Sequence, residues 1–189
     1  MEYRYLGPTG LQVSVVGLGT NNFGFRMDES SSIRVARFAI DQGINFLDTA
    51  NMYGRGLSEE RIGKALKDVR KDVILATKFG MAMGEGPNSL GGSRHHIMQQ
   101  VEDSLKLLQT DYIDLYQIHR PDPNTPIEET IRALDDLVHQ GKVRYIGCSN
   151  FSAWQTCEAV WTSKHLNMAS FATVQPEYNM LNRSIEAEL

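Results

Sequence analysis

The chain lacks the features that would indicate nucleic acid, a membrane or secretion. It has no run of lysine or arginine, and its formal net charge of -4 argues against nucleic acid or an anionic membrane surface as a partner. No apolar stretch approaches the roughly 18 residues that a membrane-spanning helix needs. Residues 1–5 lack the basic-then-apolar layout of a signal peptide. These absences predict a cytoplasmic protein that binds neither nucleic acid nor a membrane.

Motifs for metal binding and for covalent catalysis are also missing. Cys148 and Cys157 form no C-x-x-C pair, and they fit reduced structural thiols better than a disulfide framework. His95 and His96 are adjacent at a predicted helix start, so they point to different sides and match no ligand spacing. The chain has no G-x-S-x-G nucleophile elbow. We therefore expect neither a metal site nor a covalent nucleophile.

What the chain does contain is a regular alternation of strand-like and helix-like segments. Its 189 residues, 41% of them hydrophobic, predict one domain over residues 1–189 with a sizeable core. The N-terminal segments 3–6 and 12–15 predict a β-hairpin. Further strands are predicted over 15–19, 44–49, 72–78, 112–119, 142–149 and 170–175. Helices are predicted over 28–42, 58–68, 93–109, 126–140 and 152–165, the second opened by the capping pattern Ser58-Glu59-Glu60-Arg61.

This order of elements predicts a parallel sheet, either open and doubly wound or closed into a (β/α) barrel. An open dinucleotide-binding sheet would carry G-x-G-x-x-G after its first strand, but Asn22 replaces the third glycine of the stretch that begins at Gly17. A G-x-x-x-x-G-K-[ST] loop is also absent. Polar residues at the ends of several strands instead favour a barrel. We predict a (β/α)8 TIM barrel, of which this chain contains about six βα units after the hairpin.

Four polar residues lie at or just beyond the ends of predicted strands: Asp48, Tyr53, Lys78 and His119. Because the carboxyl ends of parallel barrel strands meet at one rim, these four side chains can meet there. A carboxylate, a phenol, an amine and an imidazole form the acid–base set that carbonyl reduction needs. Each residue also has a simpler interpretation, as a turn cap, loop packing, a solvated rim residue or a structural histidine. One shared role accounts for the four better than four separate roles.

Several segments resemble the aldo-keto reductase superfamily. They are residues 46–54, 76–78, 114–122 and 146–151, together with 11–24 and 174–179, all in the family's order. The loops at 120–123 and 126–129 are more similar to the bacterial stress-protein and potassium-channel β-subunit branches than to the aldose reductase branch. The resemblance implies an oxidoreductase that reduces aldehydes or ketones with NADPH, with NADH as an open alternative.

The resemblance also implies a role for each residue of the rim. Tyr53 would donate a proton to the carbonyl oxygen, and Lys78 would lower the pKa of that phenol from its usual value of about 10. Asp48 would pair with Lys78 and hold it in place. His119 would orient the carbonyl oxygen or pass on the proton. Tyr53, His119 and Arg120 would contact the substrate.

Cofactor contacts follow from the same resemblance. The residues assigned to the cofactor are Gly19, Thr20, Asn21, Asp48, Ser149, Asn150 and Gln175. The last three would hold the nicotinamide carboxamide, which needs one acceptor and two donors. The first three would line the pocket near the ribose. As an alternative, Ser149 and Asn150 form only the turn that enters the next helix, and both interpretations can hold together.

A complete barrel of this kind runs to about 250 residues. In the family, a seventh strand supplies an aromatic residue that stacks on the nicotinamide, and later loops grip the pyrophosphate and the 2′-phosphate. We find no counterpart of these parts and therefore expect the chain to be the N-terminal portion of a longer barrel. Three functions stay open: a reductase of a small carbonyl compound, a cofactor-binding regulatory subunit, and an inactive fragment. The substrate and the oligomeric state are not determined by the sequence.

Overall fold

The structure, a computed structural model, describes residues 1–189. An antiparallel hairpin comes first, formed by β1 (Tyr3–Tyr5) and β2 (Gln12–Ser14). Six parallel strands then form one sheet in chain order: β3 (Leu18–Gly19), β4 (Phe46–Asp48), β5 (Ile74–Phe79), β6 (Ile113–Ile118), β7 (Val143–Ser149) and β8 (Phe171–Gln175). The predicted hairpin and parallel sheet are confirmed.

Five α-helices connect the parallel strands: α1 (Glu29–Asp41), α2 (Leu57–Leu66), α3 (Arg94–Leu108), α4 (Ile127–His139) and α5 (Ala153–His165). Side chains just before three of them fix where they begin. Asp28, Ser93 and Ser152 each accept a hydrogen bond from a backbone N–H of the first turn of α1, α3 and α5. These three starts lie within one residue of those that the sequence predicts.

The extent of the first barrel strand and the predicted cap of α2 are wrong. The first barrel strand, predicted over residues 15–19, is limited to Leu18–Gly19, because the residues before it are not paired with β4. The helix α2 begins at Leu57 after Gly56, whose φ is 91°, and no side chain caps it. The hydroxyl of Ser58 is buried and bonds instead with the hydroxyls of Thr20 and Thr49, at 2.9 and 2.8 Å. It is therefore not the N-cap of α2.

The sheet curves so strongly that strands far apart in its order meet at their carboxyl ends. Gln175, at the end of β8, donates from Nε2 to Oδ2 of Asp48 at the end of β4, at 3.2 Å. Three strands lie between these two in the sheet. The six strands therefore form a half-barrel.

The hairpin lies across the amino end of this half-barrel. Asn45, just before β4, donates from Nδ2 to the carbonyl of Gln12 at 3.0 Å. On the other side Gly7 approaches β8 so closely that a Cβ would lie 2.3 Å from the carbonyl oxygen of Ala172. Gly7 also has φ +55°, so glycine is required there for two reasons.

The hydrophobic core lies between the outer face of the sheet and the helices. It contains 26 buried residues, among them Leu47, Leu75 and Phe79 from the strands. Side chains alternate along β5, so the residues next to Leu75 and Phe79 in this strand face the interior of the half-barrel. Ile74, Ala76 and Lys78 are the inner-facing residues of β5, and none of them belongs to this cluster. No helix of the structure is long and apolar enough to cross a membrane.

Candidate active site

A buried ion pair lies at the carboxyl end of β4 and β5. The Lys78 ammonium donates to both carboxylate oxygens of Asp48, at 2.7 and 2.6 Å, and to the carbonyl of Thr49 at 3.1 Å. The Lys78 side chain is 2% exposed, whereas that of Asp48 is 16% exposed. Burying an ammonium group is costly, and the paired charge with three hydrogen bonds offsets that cost. The structure thus brings together Asp48 and Lys78 as the sequence predicts.

Tyr53 lies beside this ion pair. It begins a short 3-10 turn, Tyr53–Gly56, which follows β4. Its half-buried ring has the Lys78 ammonium 5.5 Å from its centroid. The ring of His119, just after β6, lies edge-on to it with the two centroids 5.8 Å apart. All four predicted rim residues therefore lie in one cluster.

The turn that carries Tyr53 depends on a close backbone approach. Gly54 has φ +57°, and a Cβ on it would lie 3.1 Å from backbone atoms of Gly24, in the loop after β3. Any larger residue at position 54 would push these two loops apart. Glycine thus allows the Tyr53 turn to pack against the β3 loop.

The pKa of Tyr53 is raised, not lowered as the sequence predicts. Burial of the phenol is the main cause, and the negative charge of Asp48 adds to it. Lys78 does not outweigh these effects, because its ammonium group donates its hydrogen bonds to Asp48 rather than to the phenol. Tyr53 therefore carries its proton throughout the neutral pH range and is available as an acid.

The imidazole of His119 is neutral at neutral pH. Burial is the main cause that lowers the pKa of His119 to about 4, and the positive charges of Lys78 and Arg120 lower it further. Its Nδ1 is buried without a hydrogen-bond partner. A neutral imidazole carries one N–H donor and one acceptor nitrogen, so it can donate to a carbonyl oxygen without being charged. Arg120 itself is exposed beside it.

Ser149, Asn150 and Gln175 form a second group of polar residues at the same rim. The Ser149 hydroxyl donates to the carbonyl of Gln175 at 2.7 Å. The Asn150 amide donates to the Ser149 hydroxyl and to the carbonyl of His119, both at 3.0 Å. Asn150 has φ +60°, a left-handed conformation that asparagine tolerates better than most residues. One hydroxyl and two side-chain amides thus lie at this rim, with the Gln175 amide bonded to Asp48, and they form a donor and acceptor set that fits a carboxamide.

The three residues predicted to lie near the ribose, at the end of β3 and just after it, differ in position. Gly19 lines a cavity of about 410 Å³ that Asp48 and Gln175 share with residues of the hairpin, among them Val13 and Ser14. Thr20 points away from this cavity, because its hydroxyl bonds to the carbonyl of Asp48 at 3.0 Å and to Ser58. Asn21 is exposed in the following turn. Thr20 therefore supports Asp48 from behind, and only Gly19 of the three faces the cavity.

Gln117 belongs to this site and is not among the residues predicted from the sequence. Its Nε2 donates to the side-chain oxygen of Gln175 at 3.2 Å, and its Oε1 accepts from the Thr173 hydroxyl at 3.2 Å. It is 2% exposed on the inner face of β6. Gln117 precedes His119 by two positions, so strand alternation places both on one face. That spacing is the signal that could have identified it.

Comparisons with known proteins agree with the fold described above. The Aldo/keto reductase family profile covers residues 15–189. The chain is 46% identical over 194 residues to aldo-keto reductase YhdN of Bacillus subtilis, an alignment that covers 98% of this chain and 56% of the relative. It is 39% identical over 193 residues to a probable voltage-gated potassium channel subunit beta of Arabidopsis thaliana, covering 100% of this chain and 58% of the relative.

Two further comparisons concern a named reductase and a solved structure. The chain is 37% identical over 193 residues to L-glyceraldehyde 3-phosphate reductase of Escherichia coli, covering 98% of this chain and 56% of the relative. A crystal structure of the thermostable aldo-keto reductase Tm1743 with the inhibitor epalrestat aligns with a TM-score of 0.88 and 35% identity. That alignment covers 100% of this chain and 66% of the other.

The fold defines a barrel of parallel strands with polar residues gathered at its carboxyl end. More specifically, the chain belongs to the aldo/keto reductase family. The resemblance drawn from the sequence segments is confirmed. The chain spans 56% to 61% of the length of the curated relatives that it matches. Membership implies a nicotinamide cofactor in general, NADH or NADPH.

Proposed function

We propose that this protein reduces aldehydes or ketones to alcohols with NADPH, and that Tyr53 donates the proton. The observation that carries this proposal is the position of the Tyr53 phenol, beside the Lys78–Asp48 pair and the neutral imidazole of His119. Membership of the aldo/keto reductase family supports it. The preference for NADPH over NADH rests on the family resemblance.

Each residue of the rim has a distinct part in the proposed reaction. NADPH, when bound, would supply a hydride to the carbonyl carbon, so that negative charge would develop on the carbonyl oxygen. Tyr53 transfers its phenolic proton to that oxygen, acting as the general acid. The Lys78 ammonium, fixed by Asp48, stabilises the phenolate that remains. The neutral His119 ring donates a hydrogen bond that orients the carbonyl oxygen toward Tyr53.

The residues that would hold the cofactor lie on the other side of Asp48. Ser149, Asn150 and Gln175 would bind the carboxamide of the nicotinamide, whose oxygen accepts and whose NH2 donates. Gln117 would keep the Gln175 amide in the required orientation through their 3.2 Å hydrogen bond. Gly19 has no Cβ, and a Cβ there would meet no atom within 4 Å, so the cavity stays open beside it.

Two titrations with the purified protein test the proposal. Quenching of protein fluorescence by NADPH and by NADH measures the two affinities, and we expect saturable binding that is tighter for NADPH. Loss of NADPH absorbance is then followed with a panel of aldehydes and ketones. We expect oxidation of NADPH that depends on the carbonyl compound. Absence of saturable binding to either dinucleotide would contradict the proposal.

A second candidate is a regulatory subunit in which cofactor binding matters more than turnover. The observation that favours it is the 39% identity to probable voltage-gated potassium channel beta subunits of Arabidopsis thaliana and rice. The same two titrations separate the candidates. Tight NADPH binding without carbonyl-dependent oxidation favours the regulatory role, whereas turnover with several aldehydes favours the reductase.

A further inference from the structure

A fully buried carboxyl group lies behind the wall of the half-barrel. Glu59, in the first turn of α2, is 0% exposed. Its Oε1 accepts a hydrogen bond of 2.6 Å from the hydroxyl of Thr77 on β5. Its Oε2 is buried without a partner. Carboxyl groups are rarely buried without a cation beside them, so packing alone does not account for glutamate at this position.

Thr77 connects this carboxyl group to the candidate active site. It precedes Lys78 on β5, and side chains alternate along a strand, so Thr77 faces α2 while Lys78 faces the interior of the half-barrel. The backbone carbonyl of Lys78 accepts a hydrogen bond of 3.1 Å from the N–H of Asn51, in the loop that leads to Tyr53. The end of β5 is therefore held by Glu59 on one face and by the Tyr53 loop at its edge.

The loop itself is fixed to the same rear layer. The side chain of Asn51 is 2% exposed and donates from Nδ2 to the Gln100 side chain of α3 at 2.7 Å. Asn51, Glu59 and Gln100 line one cavity of about 390 Å³ between α2 and α3. A displacement of Glu59 would thus reach both the strand that carries Lys78 and the loop that carries Tyr53.

We propose that Glu59 is a positioning residue for the reduction: through its hydrogen bond with Thr77 it fixes the end of β5, and with it the place of the Lys78 ammonium beside Asp48. This inference rests on the proposed function for its effect on turnover. The link between Glu59 and Lys78 can be measured without turnover.

The ionisable groups around Glu59 determine how the link is tested. The helix α3 contributes His96, Asp103 and Lys106, which line the same cavity. The strand β6 contributes the fully buried Tyr116, which pairs with Thr77 in the sheet. On β5 the charged neighbour is Lys78, on the opposite face, and on α2 the next residue is Glu60, which bonds to Lys64.

Glu59 changes its charge within the neutral pH range. Burial raises the pKa of Glu59 to about 7, against the hydrogen bond from Thr77, and the charge of Asp103 raises it further. Burial lowers the pKa of His96 below its ordinary value, away from that of Glu59. A carboxylate accepts a stronger hydrogen bond than a carboxylic acid does. The Thr77 bond, and the strand end that it fixes, should therefore differ between the two states of Glu59.

The test is an NMR titration of the purified full chain. Lysine labelled with 13C at Cε reports on Lys78, assigned by its loss in Lys78→Met, and glutamate labelled at Cδ reports on Glu59. We expect the Lys78 signal to change with the same midpoint as the Glu59 carboxyl signal. Glu59→Gln keeps an acceptor for Thr77 but cannot ionise, so the change should disappear. Glu60→Gln, the matched control on the next residue, should keep it.

A second variant keeps the test decisive if Glu59→Gln does not fold. Thr77→Val keeps the carboxyl group and removes the hydroxyl, so Glu59 should still titrate while the Lys78 signal stays constant. A Lys78 signal that does not change at the Glu59 midpoint in the unaltered protein would overturn the proposal. So would a change that persists unaltered in Glu59→Gln, because it would then belong to another group such as His96.

Turnover separates this inference from the proposed function. In a protein that reduces carbonyl compounds, Glu59→Gln should lower kcat about tenfold with little change in the Kd for NADPH, because the reacting groups are misplaced rather than lost. A shared midpoint in a protein without turnover would overturn the reductase and keep the positioning link. Turnover with no shared midpoint would overturn the positioning link alone.

Discussion

The two ends of the half-barrel each contain a buried ion pair, and the pairs differ in what surrounds them. At the amino end the Arg70 guanidinium lies 2.8 Å from Asp114, and both side chains are almost buried. Arg70 also donates to the carbonyls of Val73 and Tyr112, each at 2.9 Å. Asp114 accepts a further hydrogen bond from the backbone N–H of Leu75. Donors and acceptors in this pair satisfy one another.

At the carboxyl end the ion pair is satisfied but its neighbours are not. Lys78 and Asp48 bond to each other, whereas the Tyr53 hydroxyl donates to no protein group, and Nδ1 of His119 is buried without a partner. The Tyr53 hydroxyl, which the fold does not use and which is not buried, remains available to a substrate. The comparison teaches that a satisfied pair contributes stability, while a pair with unsatisfied neighbours marks the candidate site.

The largest expected effect comes from Tyr53→Phe. Removing the general acid should lower kcat by about 10²–10⁴-fold, with the Kd for NADPH nearly unchanged. Stopped-flow measurement of NADPH oxidation with a good aldehyde gives the rate. The matched control is Tyr112→Phe at the opposite end, which keeps the ring that stacks on Arg70 at 4.0 Å. Equal rates in Tyr53→Phe and the unaltered protein would remove the assignment of the proton donor.

Arg70→Met should break the ion pair at the amino end and leave the residues at the carboxyl end in place. It leaves Asp114 buried without its cation, which should lower the free energy of unfolding by about 3–5 kcal/mol. Urea denaturation followed by circular dichroism measures this loss. The control Arg37→Met removes an exposed pair with Asp68 at 3.3 Å and should cost about 0–1 kcal/mol. A change in kcat per folded molecule in Arg70→Met would show that the two ends are not independent.

The pH dependence of stability should contain a contribution from His119. Its pKa is about 4 in the folded protein, below its ordinary value of 6.5, because burial and two nearby cations disfavour the charged ring. The unfolded chain therefore takes up the proton at a higher pH than the folded protein does. The contribution of His119 is fully present above about pH 6.5 and is lost as the pH falls from 6.5 toward 4.

Urea midpoints measured at several pH values test this contribution. His119→Gln should flatten the profile in that range, whereas His139→Gln, on the exposed last turn of α4, serves as the control. An unchanged profile in His119→Gln would show that the ring is not held neutral in the folded protein.

The smallest expected effect concerns a helix that starts at the site's rim. Ser152 caps α5, just after Asn150, and its hydroxyl accepts from the backbone N–H of Gln155. Ser152→Ala should cost about 1 kcal/mol of stability. Thr162→Ala, inside the same helix, should cost little, because alanine is the better helix former. Thermal denaturation compares the two variants. Equal losses would show that the hydroxyl of Ser152 contributes nothing as a cap.

The position of the rim residues could be predicted because strand ends in a parallel barrel share one edge. Asp48, Lys78 and His119 each end a recognisable apolar segment. Because these segments are parallel strands of one sheet, their ends lie at the same rim. Gln117 was within reach of the same reasoning, because it shares the inner face with His119. Helix starts were predicted equally well where a serine or aspartate caps the first turn, as at Ser93.

Other features could not be predicted because they depend on contacts between distant segments. The raised pKa of Tyr53 follows from burial and from the engagement of Lys78 with Asp48, neither of which local sequence determines. Ser58 resembles an N-cap in the sequence, yet its hydroxyl bonds with residues of two other loops. The burial of Glu59 likewise follows from the packing of α2 against β5.

The most direct test of the central claim follows a hydride from the cofactor to the product. The purified protein is incubated with an aldehyde and with NADPH that carries deuterium at both C4 positions of the nicotinamide, and the alcohol is analysed by mass spectrometry and NMR. The account predicts one deuterium on the carbinol carbon, and almost none formed at the same time by Tyr53→Phe that is saturated with NADPH. Saturable NADPH binding by the unaltered protein with no deuterium in the alcohol would contradict it.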